Sequence, residues 1–180
     1  YDKLQDGIAA SGKQKLIDVM VPVTKFLRKC GLDLRRAVFS DILKKLGGNL
    51  RMVVIGGAGI DKKYIETFNN FGIDFFMGYG LTETSPVISV TSSECNVYGS
   101  VGRPMEGITV AINNESNKYG AIGEILTKSK CVMKGYYKNE EATKEAIDVD
   151  GWFHTGDMGF IDKKGCIHVT GRVKSMIVLT

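Results

Sequence analysis

The chain has 180 residues, 43% of them hydrophobic and 24% charged, which is enough apolar content for one sizeable core or two small ones and too much for a disordered segment. Its 24 basic and 20 acidic side chains leave a net charge of +4 with no run of five like charges and no arginine-rich arm, so nucleic acid is not an expected partner. No apolar run approaches the roughly 20 residues that cross a bilayer and no signal-peptide pattern is present, which predicts a cytoplasmic location. Cys30, Cys95, Cys131 and Cys166 lie far apart, with no CxxC pair and no histidine at ligand spacing. They read as reduced thiols rather than as a zinc site or a disulfide framework. A start at Tyr1 and an apolar close over 175–180 suggest a piece of a longer polypeptide.

Helical spacing of Leu16, Val19, Val23, Leu27 and Cys30 predicts a first helix over 14–30, kinked or interrupted at Pro22 and stopped by Gly31. A second amphipathic stretch places Val38, Phe39, Ile42, Leu43 and Leu46 on one side and ends at Gly47 and Gly48. The run LRMVVI at 50–55 is short, apolar and glycine-bounded, as a buried strand is. Asp61 caps a third helix bearing Tyr64, Ile65 and Phe68, and IDFFM at 73–77 follows as another strand. Helix, strand, helix, strand over 32–90 predicts an α/β fold, part of a layered subdomain of parallel strands joined by crossover helices. From about residue 95 short β-like runs separated by turns predict a small β-rich, distorted barrel-like subdomain. Asp162 to Gly165 supplies a hairpin turn, and Asn139 caps the single helix over 139–147. The expected division is 1–95, 96–170 and a terminal 171–180.

Two glycine-rich strings, GGAG at 56–59 and GYG at 78–80, each follow a predicted strand, where open α/β sheets form their ligand crevices. In GYGLTETSP at 78–86, Gly78 and Gly80 let backbone approach a ligand, and Thr82, Thr84 and Ser85 offer hydroxyls. Glu83 carries the hard oxygen that Mg²⁺ prefers, and the Tyr79 ring can stack on a purine. A nucleotide uses every part. By residue type alone, Asp157 in TGD suits a turn cap as well as a ligand site, and Arg172 suits an exposed charge. The two histidines, His154 and His168, make a dyad conceivable, although His168 reads as facing solvent from a strand.

GYGLTETSP resembles the signature loop of the adenylate-forming (AMP-binding) superfamily. VIGGAGI at 54–60, GEILTKSKCVMKGYYKNEEAT at 123–143, GWFHTGDMG at 151–159 and GRVKSMI at 171–177 resemble further blocks of it in family order. The likeness is greatest to long-chain fatty acid–CoA ligases, because peptide-synthetase domains tend to carry a proline after the second glycine and a tyrosine-arginine before TGD. It covers the chain from about Arg36 onward and implies a fragment of the large N-terminal domain.

The resemblance implies that a fatty acid carboxylate attacks the α-phosphate of Mg-ATP, giving acyl-adenylate and pyrophosphate, and that the sulfur of CoA then displaces AMP. Thr82 is implied to contact the α-phosphate, Glu83 to hold Mg²⁺, and Tyr79, between Gly78 and Gly80, to flank adenine. Asp157 is implied to take both ribose hydroxyls, Arg172 to reach ribose or phosphate, Gly57 and Ala58 to lie against adenine and the acyl pocket, and Lys174 to act as a hinge toward a C-terminal domain. The superfamily's phosphate loop ending in Pro-Lys and its C-terminal lysine do not occur within these residues, so the isolated chain is expected to be inactive. A non-catalytic adenine-nucleotide module and a ligase loading an acyl carrier protein are the alternatives. Peripheral membrane contact and oligomeric state stay open.

Overall fold

The computed structural model describes residues 6, 12, 14–57, 59–92, 95, 97–114 and 120–173. The chain forms two compact units, Tyr1–Val53 with Gly59–Phe75, and Val54–Ala58 with Phe76–Thr180. Residues 76–95, which sequence texture groups with the α/β segment, belong to the second unit.

In the first unit α1 (Gln14–Lys29) runs through Pro22 without interruption. Gly31, at φ +86°, ends it, and the Leu32 N–H returns to the Leu27 carbonyl in a Schellman closure. The helix buries a different face from the one its periodicity suggests. Ile17, Met20 and Val21 pack against Phe39 and Phe71, while Leu16, Val19, Val23 and Phe26 are exposed. The reason is visible in the sequence: α1 is apolar on two adjoining stripes, so period alone cannot choose between them.

The next stretch breaks at Phe39 into α2 (Arg35–Val38) and α3 (Ser40–Lys45), and burial concentrates on Phe39 and Leu43. Arg35 is buried, held by Asp33 at 2.6 Å and by Asp74 at 3.5 Å. Its guanidinium in turn holds the Asp33 carboxyl down at about 2. β1 (Met52–Ile55) leads to α4 (Lys62–Asn70), whose cap is Asp61 accepting from the Lys63 N–H at 3.0 Å, as expected.

β2 (Asp74–Gly80) extends three residues beyond the expected strand, so Gly78, Tyr79 and Gly80 are strand rather than loop. They are recruited by β3 (Val87–Val90), which pairs antiparallel with Gly78 opposite Val90 and Tyr79 opposite Ser89. β3 pairs antiparallel with β4 (Arg103–Pro104), giving a sheet in the order β1-β2-β3-β4. The α/β class therefore holds, but the strand–helix–strand pattern stops at β2. Six residues separate β2 from β3, and a parallel return needs a connection of about a dozen or more.

The second sheet is an antiparallel meander of β5 (Thr109–Asn113), β6 (Gly123–Lys128), β7 (Phe153–Ile161) and β8 (Ile167–Arg172), in that order. β7 alternates strictly over its first eight residues, burying Phe153, Thr155, Asp157 and Gly159. Asp162 forms the β7–β8 turn as its sequence predicts: the Gly165 N–H reaches its carbonyl, and its side chain accepts from the Lys164 and Cys166 amides. α5 (Glu140–Ala146) is capped by Asn139.

Two expectations are corrected here. Cys95 and Cys166 are joined in a disulfide across 71 residues of sequence, with their Cα atoms 7.2 Å apart. Such a pairing carries no local spacing signal; it arises because Val101 and Gly102 bridge to Ile167 through backbone hydrogen bonds of 2.8 Å. Cys30 and Cys131 are free and exposed. His168 does not face solvent: its ring stacks on Phe160 at 4.6 Å and its Nε2 lies 3.1 Å from Asp162.

Candidate active site

The site residues lie in the second unit, at the end of β2, in the turn after it and on β7 and β8. Gly56 follows β1, and a Cβ there would stand 3.4 Å from the Gly78 carbonyl, so main chain meets main chain at this point. Gly57 takes φ +82°, a conformation open to glycine at little cost. A Cβ at Gly80 would fall 1.8 Å from the Pro86 carbonyl, which no side chain allows. The β2–β3 pairing bulges between Tyr79 and Gly80, and Thr82–Thr84 then winds as a single 3₁₀ turn. Thr84 is buried beneath it; its hydroxyl accepts from the Leu81 N–H and lies 2.9 and 2.8 Å from the Leu81 and Pro86 carbonyls. That leaves Thr82 exposed and Glu83 half-buried at the outer edge of the turn.

Asp157 is the unusual residue of β7, a carboxylate on the buried face with 7% exposure. Two side chains compensate it: the Tyr79 hydroxyl donates to Oδ2 at 2.8 Å and Arg172 Nε donates to Oδ1 at 2.8 Å, while its backbone N–H donates separately to the Thr155 hydroxyl at 3.1 Å. Arg172 stands directly opposite Asp157 in the β7–β8 ladder, so the ion pair is a consequence of register. Burial pushes the Tyr79 phenol above its ordinary range, a hydrogen bond from Thr155 acts against this, and the Asp157 charge adds to it. Tyr79 is therefore a neutral donor. The hydrogen bond to Asp157 raises the Arg172 guanidinium, and the charge of Glu83 adds to that effect. Each Asp157 oxygen, already accepting once, keeps one lone-pair direction for a further donor.

Glu83 is held from a segment that sequence reasoning treated only as a block. Tyr136 donates its hydroxyl to Glu83 Oε1 at 3.0 Å, and the Met133 N–H donates to the Glu83 carbonyl at 2.7 Å. Glu124 was also missed. Its Oε1 accepts from the Gly156 N–H at 3.0 Å and its Oε2 lies 2.9 Å from His154 Nδ1, which braces the stretch of β7 just before Asp157. Thr155 was legible only as a member of the TGD string. No local spacing points to Tyr136 or Glu124, because their partners lie 53 and 32 residues away.

Tyr79, Asp157 and Arg172 are thus one hydrogen-bonded cluster. Ala58 and Lys174 lie outside the described residues. Among the described residues no group of three or more His, Cys, Asp and Glu side chains could by itself hold a metal ion, and no helix is long and apolar enough to cross a membrane.

A family model described as AMP-binding enzyme matches residues 11–137, more than half of the chain. The chain belongs to the AMP-binding enzyme family. It is 37% identical over 143 residues to the long-chain-fatty-acid–CoA ligase FadD15 of Mycobacterium bovis, covering 79% of this chain and 22% of that protein. It is 39% identical over 141 residues to the long-chain-fatty-acid–[acyl-carrier-protein] ligase AEE15 of Arabidopsis thaliana, covering 71% of this chain and 19% of that protein. Its fold is similar to that of O-succinylbenzoate coenzyme A synthetase (MenE) of Bacillus subtilis, solved in complex with ATP and magnesium ion. The TM-score is 0.66 at 28% identity, over 77% of this chain and 31% of that one. The chain spans a third or less of each of these AMP-binding relatives.

Proposed function

We propose that the polypeptide carrying this chain is an ATP-dependent acid–CoA ligase acting on a fatty acid, and that these residues form the adenosine-facing part of its active site. The observation that carries the reading is the Tyr79–Asp157–Arg172 cluster, in which a glycine-flanked tyrosine and the TGD aspartate share a hydrogen bond. In this reading Asp157 accepts both ribose hydroxyls through its remaining lone pairs. Tyr79, fixed by its own hydroxyl, presents its ring to adenine, and Gly57, where a Cβ would meet nothing within 4 Å, leaves bare backbone for close approach, while Gly56, Gly78 and Gly80 make room for the chain's own strands. Thr82 donates to the α-phosphate and Arg172 offers a permanent cation to ribose or phosphate. Lys174 is assigned to the hinge, at the start of a 171–180 connector, with 1–95 and 96–170 as the parts before it.

The donor set suits Mg²⁺. One carboxylate, Glu83, stands with a neighbouring exposed hydroxyl at the outer edge of a turn, and Mg²⁺ characteristically takes one or two carboxylates together with substrate phosphates and retained waters. When bound, the ion would neutralise phosphate charge. What this chain contributes is placement: donors and a cation preset around the α-phosphate, which favour the in-line approach of a carboxylate without a general base.

The similarity to AEE15 favours a second reading, transfer of the acyl group to a carrier protein rather than to CoA. Both are tested by offering the whole polypeptide ATP with a fatty acid or 2-succinylbenzoate, and CoA or an acyl carrier protein, while following pyrophosphate for the adenylation step and AMP for the acceptor step. Release with fatty acid and CoA is the expected result; release with 2-succinylbenzoate alone removes the fatty acid assignment. The 180-residue chain on its own is expected to form no acyl-adenylate. A cytoplasmic location and peripheral membrane contact belong to the same proposal.

A further inference from the structure

We propose that residues 131–136 are the positioning element of the Thr82–Thr84 turn, and that Tyr136 orients the Glu83 carboxylate by holding one of its two oxygens. The inference rests on the reading of Glu83 as the metal carboxylate.

Three hydrogen bonds of different kinds close this segment over the turn. The Met133 N–H donates to the Glu83 carbonyl at 2.7 Å, the Ser85 hydroxyl donates to the Cys131 carbonyl at 2.9 Å, and the Tyr136 hydroxyl donates to Glu83 Oε1 at 3.0 Å. The first two fix backbone to backbone and backbone to side chain. Only the third touches the carboxylate. A glutamate at the edge of a turn otherwise keeps most of its rotamer freedom, which is lost when a ligand must be bound. Holding Oε1 restricts that freedom beforehand and leaves Oε2 to a ligand, as outer-shell partners of metal-binding carboxylates do.

Tyr136 is itself anchored. Its N–H donates to the Thr143 hydroxyl at 2.9 Å, its carbonyl accepts from the Asn139 N–H at 3.2 Å, and Thr143 donates to the Asn139 carbonyl at 2.8 Å. A Cβ on the preceding Gly135 would stand 2.8 Å from the Thr143 side chain, so the approach to α5 needs glycine there. Tyr137, next in sequence, has 88% exposure and supplies the matched control.

The test is Tyr136→Phe in the whole polypeptide, with Tyr137→Phe and Glu83→Ala beside it. Calorimetry measures the affinity for ATP with Mg²⁺ and with chelator, and the affinity for AMP without metal. The expected result is that Tyr136→Phe shrinks the Mg²⁺-dependent gain in ATP affinity by about 10-fold, leaves metal-free AMP affinity and melting temperature as in the parent, and is not copied by Tyr137→Phe. A parent-like metal gain in Tyr136→Phe, with the gain lost in Glu83→Ala, overturns the positioning role. An equal weakening of all three affinities in Tyr136→Phe also overturns it, because that marks a merely structural hydroxyl. A parent-like metal gain in Glu83→Ala overturns the metal reading of Glu83 itself.

Discussion

Two tyrosine–carboxylate hydrogen bonds serve the same candidate site in opposite settings: Tyr79 to Asp157 at 2.8 Å, and Tyr136 to Glu83 at 3.0 Å. The first lies on the buried face of a nine-residue strand, with an arginine opposite in the ladder. The second lies on the edge of a three-residue turn, half open to solvent. In the first, Arg172 is set by strand pairing and Tyr79 reaches in from the other sheet, so the carboxylate is held from two sheets at once. In the second, orientation depends on the phenol. The same chemical pair is thus a framework in one place and an adjustable support in the other.

The largest expected effect tests the framework side. The Cys95–Cys166 bridge closes a loop across 71 residues immediately before β8, and opening a loop of that length costs about 4 kcal/mol in the chain-entropy model. Reduction should lower urea stability by about that amount and speed amide exchange at Asp157 and Arg172 more than at Met133. Thiol counting should find two reactive groups in the native protein, Cys30 and Cys131, against four after denaturation and reduction. Four in the native protein would contradict the bridge.

Removing each carboxylate comes next. Asp157→Ala leaves the half-buried Tyr79 hydroxyl without its acceptor and should cost about 1–3 kcal/mol of stability together with nucleotide affinity. Glu83→Ala, at the half-open edge of the turn, should stay within about 0.5 kcal/mol of the parent. Equal losses would erase the distinction between framework and support.

The smallest effect is spectroscopic. Both phenols are raised by burial first, with the paired carboxylate adding to it. A phenol whose folded pKa lies above its unfolded value contributes stability in full below about 10, and loses it as pH rises through the folded pKa. Ultraviolet titration should therefore show late-ionising tyrosines, with one late step absent in Tyr79→Phe. Asp157→Ala should bring that step down only part of the way, since burial remains.

Much of this was legible in the chain itself. Asp61 and Asn139 as helix caps, and Asp162 with Gly165 as a hairpin turn, are local chemistry, and each forms as its spacing predicts. The glycine strings at 56–59 and 78–80, which fall inside the matched residues 11–137, carry the family resemblance in the chain itself. Tertiary structure alone decided the rest: which stripe of α1 is buried, that Gly78 to Gly80 are drawn into a strand, that Cys95 meets Cys166, and that Tyr136 holds Glu83. Caps and turns are satisfied by partners within about four residues, so sequence determines them. Strand pairing, disulfides and side-chain bridges join residues tens of positions apart, and their loop-closure entropy is met only when the whole sheet forms.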